Sequence, residues 1–184
     1  LWIANGKGVS KYNRQTNKFK NYEFAKSFKR NVSQIDGYRC FIDSKGRLWA
    51  LSHYFEILRY DADNDEWKLA EYEVPDIPNP THMSPSFAMT EDYQGGIWAG
   101  SSNHGLMYMA AGEEAFKPIP NEKLGNIEFN SPEYPKAYQP DNLITSLYAD
   151  STNTLWFTTP FGVYKYNYKK ETFKIIKEYK GQGN

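Results

Sequence analysis

The sequence lacks a net charge, its 22 basic and 22 acidic side chains balancing across 184 residues. A nucleic-acid binder carries a basic footprint, so that class of partner falls away. The sequence also has no run of 18 apolar residues. That excludes a membrane-spanning helix, and no membrane contact is expected of this section. Cysteine is nearly absent: Cys40 stands alone, so neither an internal disulfide nor a cysteine-based metal site is available. Histidine is scarce as well; His53, His82 and His104 are too scattered to mark a dedicated metal centre. No cofactor motif is present. No signal peptide is visible, and Leu1-Trp2-Ile3 is not a natural start, so the chain reads as an excised section.

Aromatic residues, by contrast, are abundant: 15 Tyr, 11 Phe and 5 Trp. Each such side chain buries about 150–250 Å², which points to a folded protein with an aromatic core. The aromatics recur. Leu1-Trp2, Leu48-Trp49, Ile97-Trp98 and Leu155-Trp156 follow one another at spacings of 47, 49 and 58 residues, close to the period of propeller blades. Asp43, Asp92 and Asp150 each precede a tryptophan by six residues. Beyond the tryptophans come Gly8, Glu56, Gly105 and Gly162, and eleven residues past each of these stands Phe19, Trp67, Phe116 or Phe173. Tyr12, Tyr60, Met109 and Tyr166 fill a further common offset.

Each copy breaks into short β-branched and aromatic runs separated by Gly, Asn and Asp, which are strand and hairpin signals. Four antiparallel strands per period make a propeller blade, named here A to D from the centre outward. The sequence therefore predicts an all-β β-propeller section: an arc of about four four-stranded blades, the first incomplete. Residues 1–37 form a partial blade of strands B to D with its connector. Residues 38–85 form blade two with its connector, 86–142 blade three with a long insertion, and 143–184 blade four with the tail, all in one propeller domain. A short helix around Phe24 to Arg30 is the only non-strand element considered. Neighbouring residues such as Leu155 and Trp156 point to opposite faces, so both faces of a blade call for burial, and Trp156 is expected between blades.

The fourth copy resembles the two-component regulator propeller repeat. Ile144, Leu147, Asp150, Leu155, Trp156, Phe157, Thr158, Gly162, Val163, Tyr166 and Asn167 follow its pattern in order. Asn153 replaces the turn glycine there, while Gly46 and Gly96 keep one in or beside that position. Copy two departs most, with Glu56 for the second glycine and Ser52-His53-Tyr54-Phe55 in place of a short polar loop. The resemblance implies the periplasmic sensor region of a Bacteroidetes hybrid two-component regulator, an inner-membrane protein. Such sensors continue into a membrane helix and kinase modules, none of which this sequence contains. As partners the resemblance implies an oligosaccharide ligand, the remaining blades of the parent propeller, and a second copy of the parent sensor in a homodimer.

No catalytic nucleophile is legible: no serine sits in a glycine elbow, and Cys40 lies mid-strand. Asp61, Asp63, Asp65 and Glu66 resemble a calcium loop only superficially, since no glycine holds the required turn position; the stretch reads as a solvated hairpin turn. Asp43, Asp92 and Asp150 read as residues that cap their own A–B turns. Recognition is expected on the opposite end of the blades, where B–C loops and D–A connectors emerge, because binding residues concentrate on variable loops carried by a rigid frame. The ligand-binding candidates are Asn5, His53, Tyr54, Phe55, Asn103, His104 and Phe161, with Tyr134 and Tyr138 from the long insertion. Aromatic faces stack on sugar rings and amides bond hydroxyls. Two alternatives stay open: a polysaccharide lyase or glycosidase using His53 and His104, and a protein-docking propeller.

Overall fold

The computed structural model describes residues 1–24, 38–52, 56–72, 88–100, 105–124, 144–159 and 162–178. Among them the chain is almost entirely strand, and the strands fall into four sheets. Contacts divide the chain into two units, Leu1–Ala70 and Glu71–Asn184.

In the first unit, β1 (Trp2–Asn5), β2 (Gly8–Asn13) and β3 (Lys18–Glu23) form a three-stranded sheet, the incomplete blade that the sequence predicts. Beside it, β4 (Tyr38–Ile42), β5 (Leu48–Ser52), β6 (Ile57–Asp61) and β7 (Glu66–Leu69) pair in sequence order. The registers Trp2↔Lys11 and Lys11↔Lys20 place Trp2, Lys11 and Lys20 on one face of the first sheet. That face meets the side of the second sheet that carries Tyr60 and Trp67. The Trp2 ring lies 4.6 Å from Tyr60 and 5.9 Å from Trp67, both edge-on. Val9, Phe24, Tyr38, Leu48, Ala50 and Leu58 fill the shared core.

The second unit begins with β8 (Glu71–Tyr72), which adds in parallel to the outer strand of the third sheet. That sheet runs β8-β12-β11-β10-β9, from β9 (Ala88–Glu91), β10 (Ile97–Gly100), β11 (Leu106–Met109) and β12 (Ala115–Pro118). It is therefore five-stranded, one strand more than the repeat requires. A 3-10 turn follows at Asn121–Leu124. The fourth sheet is β13 (Ser146–Ala149), β14 (Thr154–Thr159), β15 (Gly162–Asn167) and β16 (Thr172–Glu178), again in sequence order. Trp98, Leu106 and Ala88 of the third sheet pack with Leu155, Phe157, Tyr164 and Tyr166 of the fourth. Gly100 permits this approach, since a Cβ there would lie 2.5 Å from Ile144. In both units, then, the tryptophan-bearing face of one sheet packs on the opposite-type face of the next.

The A–B turns are built alike. The Asp43 carboxylate accepts the backbone N–H groups of Lys45 and Arg47, Asp92 those of Gln94 and Gly96, and Asp150 those of Thr152 and Thr154. The left-handed residue of each turn is Gly46, Gly95 or Asn153, so in the third copy the turn glycine is Gly95. Gly96 has another role: a Cβ there would meet the Tyr108 ring. The C–D turns share a left-handed position too, held by Asn17, Asp65 and Glu171.

One expectation needs correction. Trp49 and Trp98 are each only 1% exposed, but Trp156 is half-buried: within its unit the third sheet packs on the opposite face of the fourth, that of Leu155, Phe157 and Tyr164. The stretch Phe24 to Arg30, the only one open to a helical reading, falls, beyond Phe24, outside the described residues.

Candidate functional site

The end of each blade that carries the variable loops is fixed by hydrogen bonds at the strand ends. Phe24 N–H donates to the Lys7 carbonyl, Ala70 to Ile57 and Ile119 to Leu106. Each D strand thus leaves its sheet beside the B–C loop of the same blade. The A strands enter at that end as well, through the pairs Tyr38↔Ser52 and Ala88↔Gly100 and through Thr145 N–H donating to the Thr158 carbonyl. B–C loops and D–A connectors therefore share one end of every sheet, and the repeated A–B and C–D turns occupy the other.

The B–C loops fall into two classes. The pairs Asn5↔Gly8 and Thr159↔Gly162 leave two-residue connections in the first and fourth sheets. The second and third sheets carry longer ones, between Leu51↔Ile57 and between Gly100↔Leu106. Of the nine candidates, Asn5 alone falls within the described residues; His53, Tyr54, Phe55, Asn103, His104, Phe161, Tyr134 and Tyr138 lie outside them. The Asn5 side chain is committed to its own hairpin. Its Oδ1 accepts the Lys7 N–H at 2.8 Å, and its Nδ2 donates to Ser10 Oγ at 3.2 Å, which in turn donates to Asn21 Oδ1.

At the root of the longer loop in the second sheet stands Glu56, 3% exposed, where the other copies have glycine. It is a buried carboxylate bordering the loop that holds His53, Tyr54 and Phe55. Cys40, on β4, has its thiol pushed up to about 11 by burial, which removes the thiolate that nucleophilic chemistry needs.

The acidic hairpin of the second sheet is engaged by the protein itself. Asp61 accepts the backbone N–H groups of Asp63 and Asn64 and pairs with Lys68 at 2.6 Å. Asp65 accepts the phenol of Tyr22 at 2.5 Å, together with Tyr60 and the ammonium of Lys20. These donors, Lys20 first, hold the Asp65 carboxyl well below the usual carboxylate range. Among the described residues no group of side chains has the makings of a metal site.

Sequence reasoning missed the second use of the turn aspartates. Their outer oxygens accept the indole N–H of the tryptophan six residues on, at 3.0, 3.0 and 2.9 Å for Asp43–Trp49, Asp92–Trp98 and Asp150–Trp156. The constant six-residue offset was the signal. These carboxylates are scaffold, at the end away from the variable loops.

Comparison with known proteins agrees with this architecture. Residues 138–161 match the family described as Two component regulator propeller. Comparison with curated proteins found no match. Among solved structures, the chain is similar to the extracellular domain of a B. thetaiotaomicron protein assigned as a one-component system, with a TM-score of 0.66 and 13% identity. That match covers 95% of this chain and 23% of the other. The extracellular domain of a B. thetaiotaomicron protein assigned as a hybrid two-component system follows at a TM-score of 0.60 and 20% identity, over 94% and 21%. A catalytically inactive virginiamycin B lyase from Staphylococcus aureus, in complex with quinupristin, matches at 0.55 and 18% identity, over 92% and 48%. The chain thus spans less than half the length of each. Four repeated sheets, their Asp–Trp turns and the likeness in fold to these domains together identify the chain as a β-propeller section, of which residues 138–161 match the two-component regulator propeller repeat.

Proposed function

We propose that this chain is part of the periplasmic sensor propeller of a hybrid two-component regulator, non-catalytic in itself, and that its variable-loop end binds an oligosaccharide. The observation that carries the reading is the match of residues 138–161 to the regulator repeat, which covers the end of the fourth blade's long entry segment together with its A and B strands. The separation of the two blade ends supports it. One end is stiffened by repeated carboxylate–indole turns, so loops at the other can vary without loss of the frame. Aromatics and amides, in Tyr54, Phe55, Phe161, Asn103 and His104, are the chemistry that a neutral glycan needs. The parent acts as a homodimer in the inner membrane.

The test is calorimetry of the intact sensor with a panel of glycans, before and after paired substitution of Tyr54 and His104 by alanine. Loss of affinity for a glycan that binds the unaltered sensor supports the reading; unchanged affinity places the site elsewhere. The likeness in fold to a lyase keeps one second reading in view, in which His53 and His104 serve catalysis. Consumption of a glycan during the same titration, abolished by His53→Ala, would establish it.

A further inference from the structure

We infer that the residue at the root of each B–C loop sets the path of the chain out of its blade. Glu56 is the residue that sends Glu71–Tyr72 away from the second sheet to the edge of the third. This routing is independent of the sensor reading.

In the first sheet Gly8 holds that position, and the outer strand stays beside it. Gly8 pairs with Glu23, and just beyond it Phe24 N–H donates to the Lys7 carbonyl. The approach is close. A Cβ on Gly8 would run into the Tyr22 carbonyl oxygen and come within 3.3 Å of the Phe24 nitrogen, on either side of Glu23. A glycine is what lets two backbones come so near. In the fourth sheet Gly162 pairs with Glu178 in the same way.

The second sheet has Glu56 in this position. Its registers, Tyr60↔Trp67 and Leu58↔Leu69, would set Glu71 opposite Glu56, as Glu23 stands opposite Gly8. That pair is not made. The outer strand ends with Ala70 N–H donating to the Ile57 carbonyl. Glu71 and Tyr72 pair instead, in parallel, with Ala115 and Phe116 of β12. Glu56 is 3% exposed, so its side chain takes up room inside the protein. Its Cβ stands where the backbone at Ala70 and Tyr72 would have to pass.

The third sheet keeps the glycine but obstructs the other side of the pair. Its register, Met107↔Pro118, would set Pro120 opposite Gly105. The proline ring holds φ at about −65°, away from the extended strand. Pairing stops with Ile119 N–H on the Leu106 carbonyl, and the chain turns into Asn121–Leu124. The outer strand thus stays where both members of the pair are permissive and departs where either is not. Glu71–Tyr72 is a strap with two possible partners, its own sheet or the otherwise bare edge of β12, and position 56 chooses between them.

The test uses the whole chain, isotopically labelled for NMR, with Glu56→Gly, Glu56→Ala and Gly8→Ala. The unaltered chain is expected to show cross-strand NOEs between residues 71–72 and 115–116. Glu56→Gly should lose them and gain NOEs between residues 56 and 71. Glu56→Ala removes the carboxylate but keeps a Cβ, and should leave the strap on β12. Gly8→Ala is the converse in the first sheet. The Phe24 amide there should exchange roughly tenfold faster, the scale of one backbone hydrogen bond. Retention of the strap in Glu56→Gly, its release in Glu56→Ala, or an unchanged Phe24 amide in Gly8→Ala overturns the inference. Should Glu56→Gly fail to fold, the other two variants decide.

Discussion

The carboxylate of Asp92 and the indole of Trp98, six residues apart, are joined by a hydrogen bond of 3.0 Å in which both side chains are buried. The same carboxylate holds the backbone of the turn between them. One side chain therefore fixes both the hairpin and the orientation of the largest ring in that sheet.

Removal of either partner should be costly, and unequally so. Trp98→Ala is expected to destabilise by about 3–5 kcal/mol, the range for a large buried aromatic. Asp92→Ala should cost about 1–3 kcal/mol, by leaving the buried indole N–H without an acceptor. Trp156→Ala should cost less than Trp98→Ala, because Trp156 is only half-buried. Urea unfolding of the three variants gives the order directly; an equal loss for Trp98 and Trp156 would contradict it.

The turn carboxylates also set an acid limit. Burial works against ionisation of Asp150, but the hydrogen bonds from Thr152 and Trp156 outweigh it and hold its carboxyl at about 2. Asp43 is lowered in the same way, burial being outweighed by Trp49 and Arg47. An unfolded aspartate titrates at about 3.9. Because the folded value is the lower one, the contribution is complete above the unfolded pKa and is lost as pH falls through the folded one. Denaturant midpoints are expected to drop between a pH of about 4 and about 2, and to drop less steeply in Asp150→Asn.

Glycines should divide by the space around them. Gly100→Ala drives a methyl into Ile144, and Gly96→Ala drives one into the Tyr108 ring. Each is expected to cost about 1–3 kcal/mol, as overpacking does. Gly46 has a positive φ but nothing within 4 Å of a Cβ. Gly46→Asn should therefore be tolerated, as Asn153 is in the equivalent turn. Thermal melts of the three single variants distinguish the groups.

Asp65→Asn should lower the melting temperature of the chain at low salt by more than at high salt. Its carboxylate draws two lysines and two phenols from neighbouring strands, and the part of that attraction between exposed charges is screened by ions. A salt-independent loss would mean that the phenol hydrogen bonds alone carry the effect.

Much of the fold was legible because its information is local. The six-residue Asp–Trp offset and the eleven-residue step to the outer aromatic fall within one or two hairpins, so they survive in the order of residues. The Asn5 side chain holds its own two-residue turn, Gly6-Lys7, by accepting the Lys7 N–H. What escaped depends on which faces meet. The clamp on Asp65 joins residues more than forty positions apart, and nothing in either hairpin announces the other. Trp156 has the same local pattern as Trp98, yet its burial is set by a neighbour rather than by its own strand. The two-residue strand Glu71–Tyr72 is too short for any periodicity to reveal. The candidate site is legible only as an end of the blades, since the loops there are where repetition stops.

The parallel pairing of Glu71–Tyr72 with Ala115–Phe116 has a consequence in time. In every other described pair, a strand meets its partner in the next hairpin, almost as soon as both exist. This one must wait for 44 residues of further chain, roughly 2–9 s at ordinary rates of synthesis. Throughout that interval the segment after Ala70 is an unpaired edge, and the third blade is the last of the sheets to reach its final width relative to when its first strand was made.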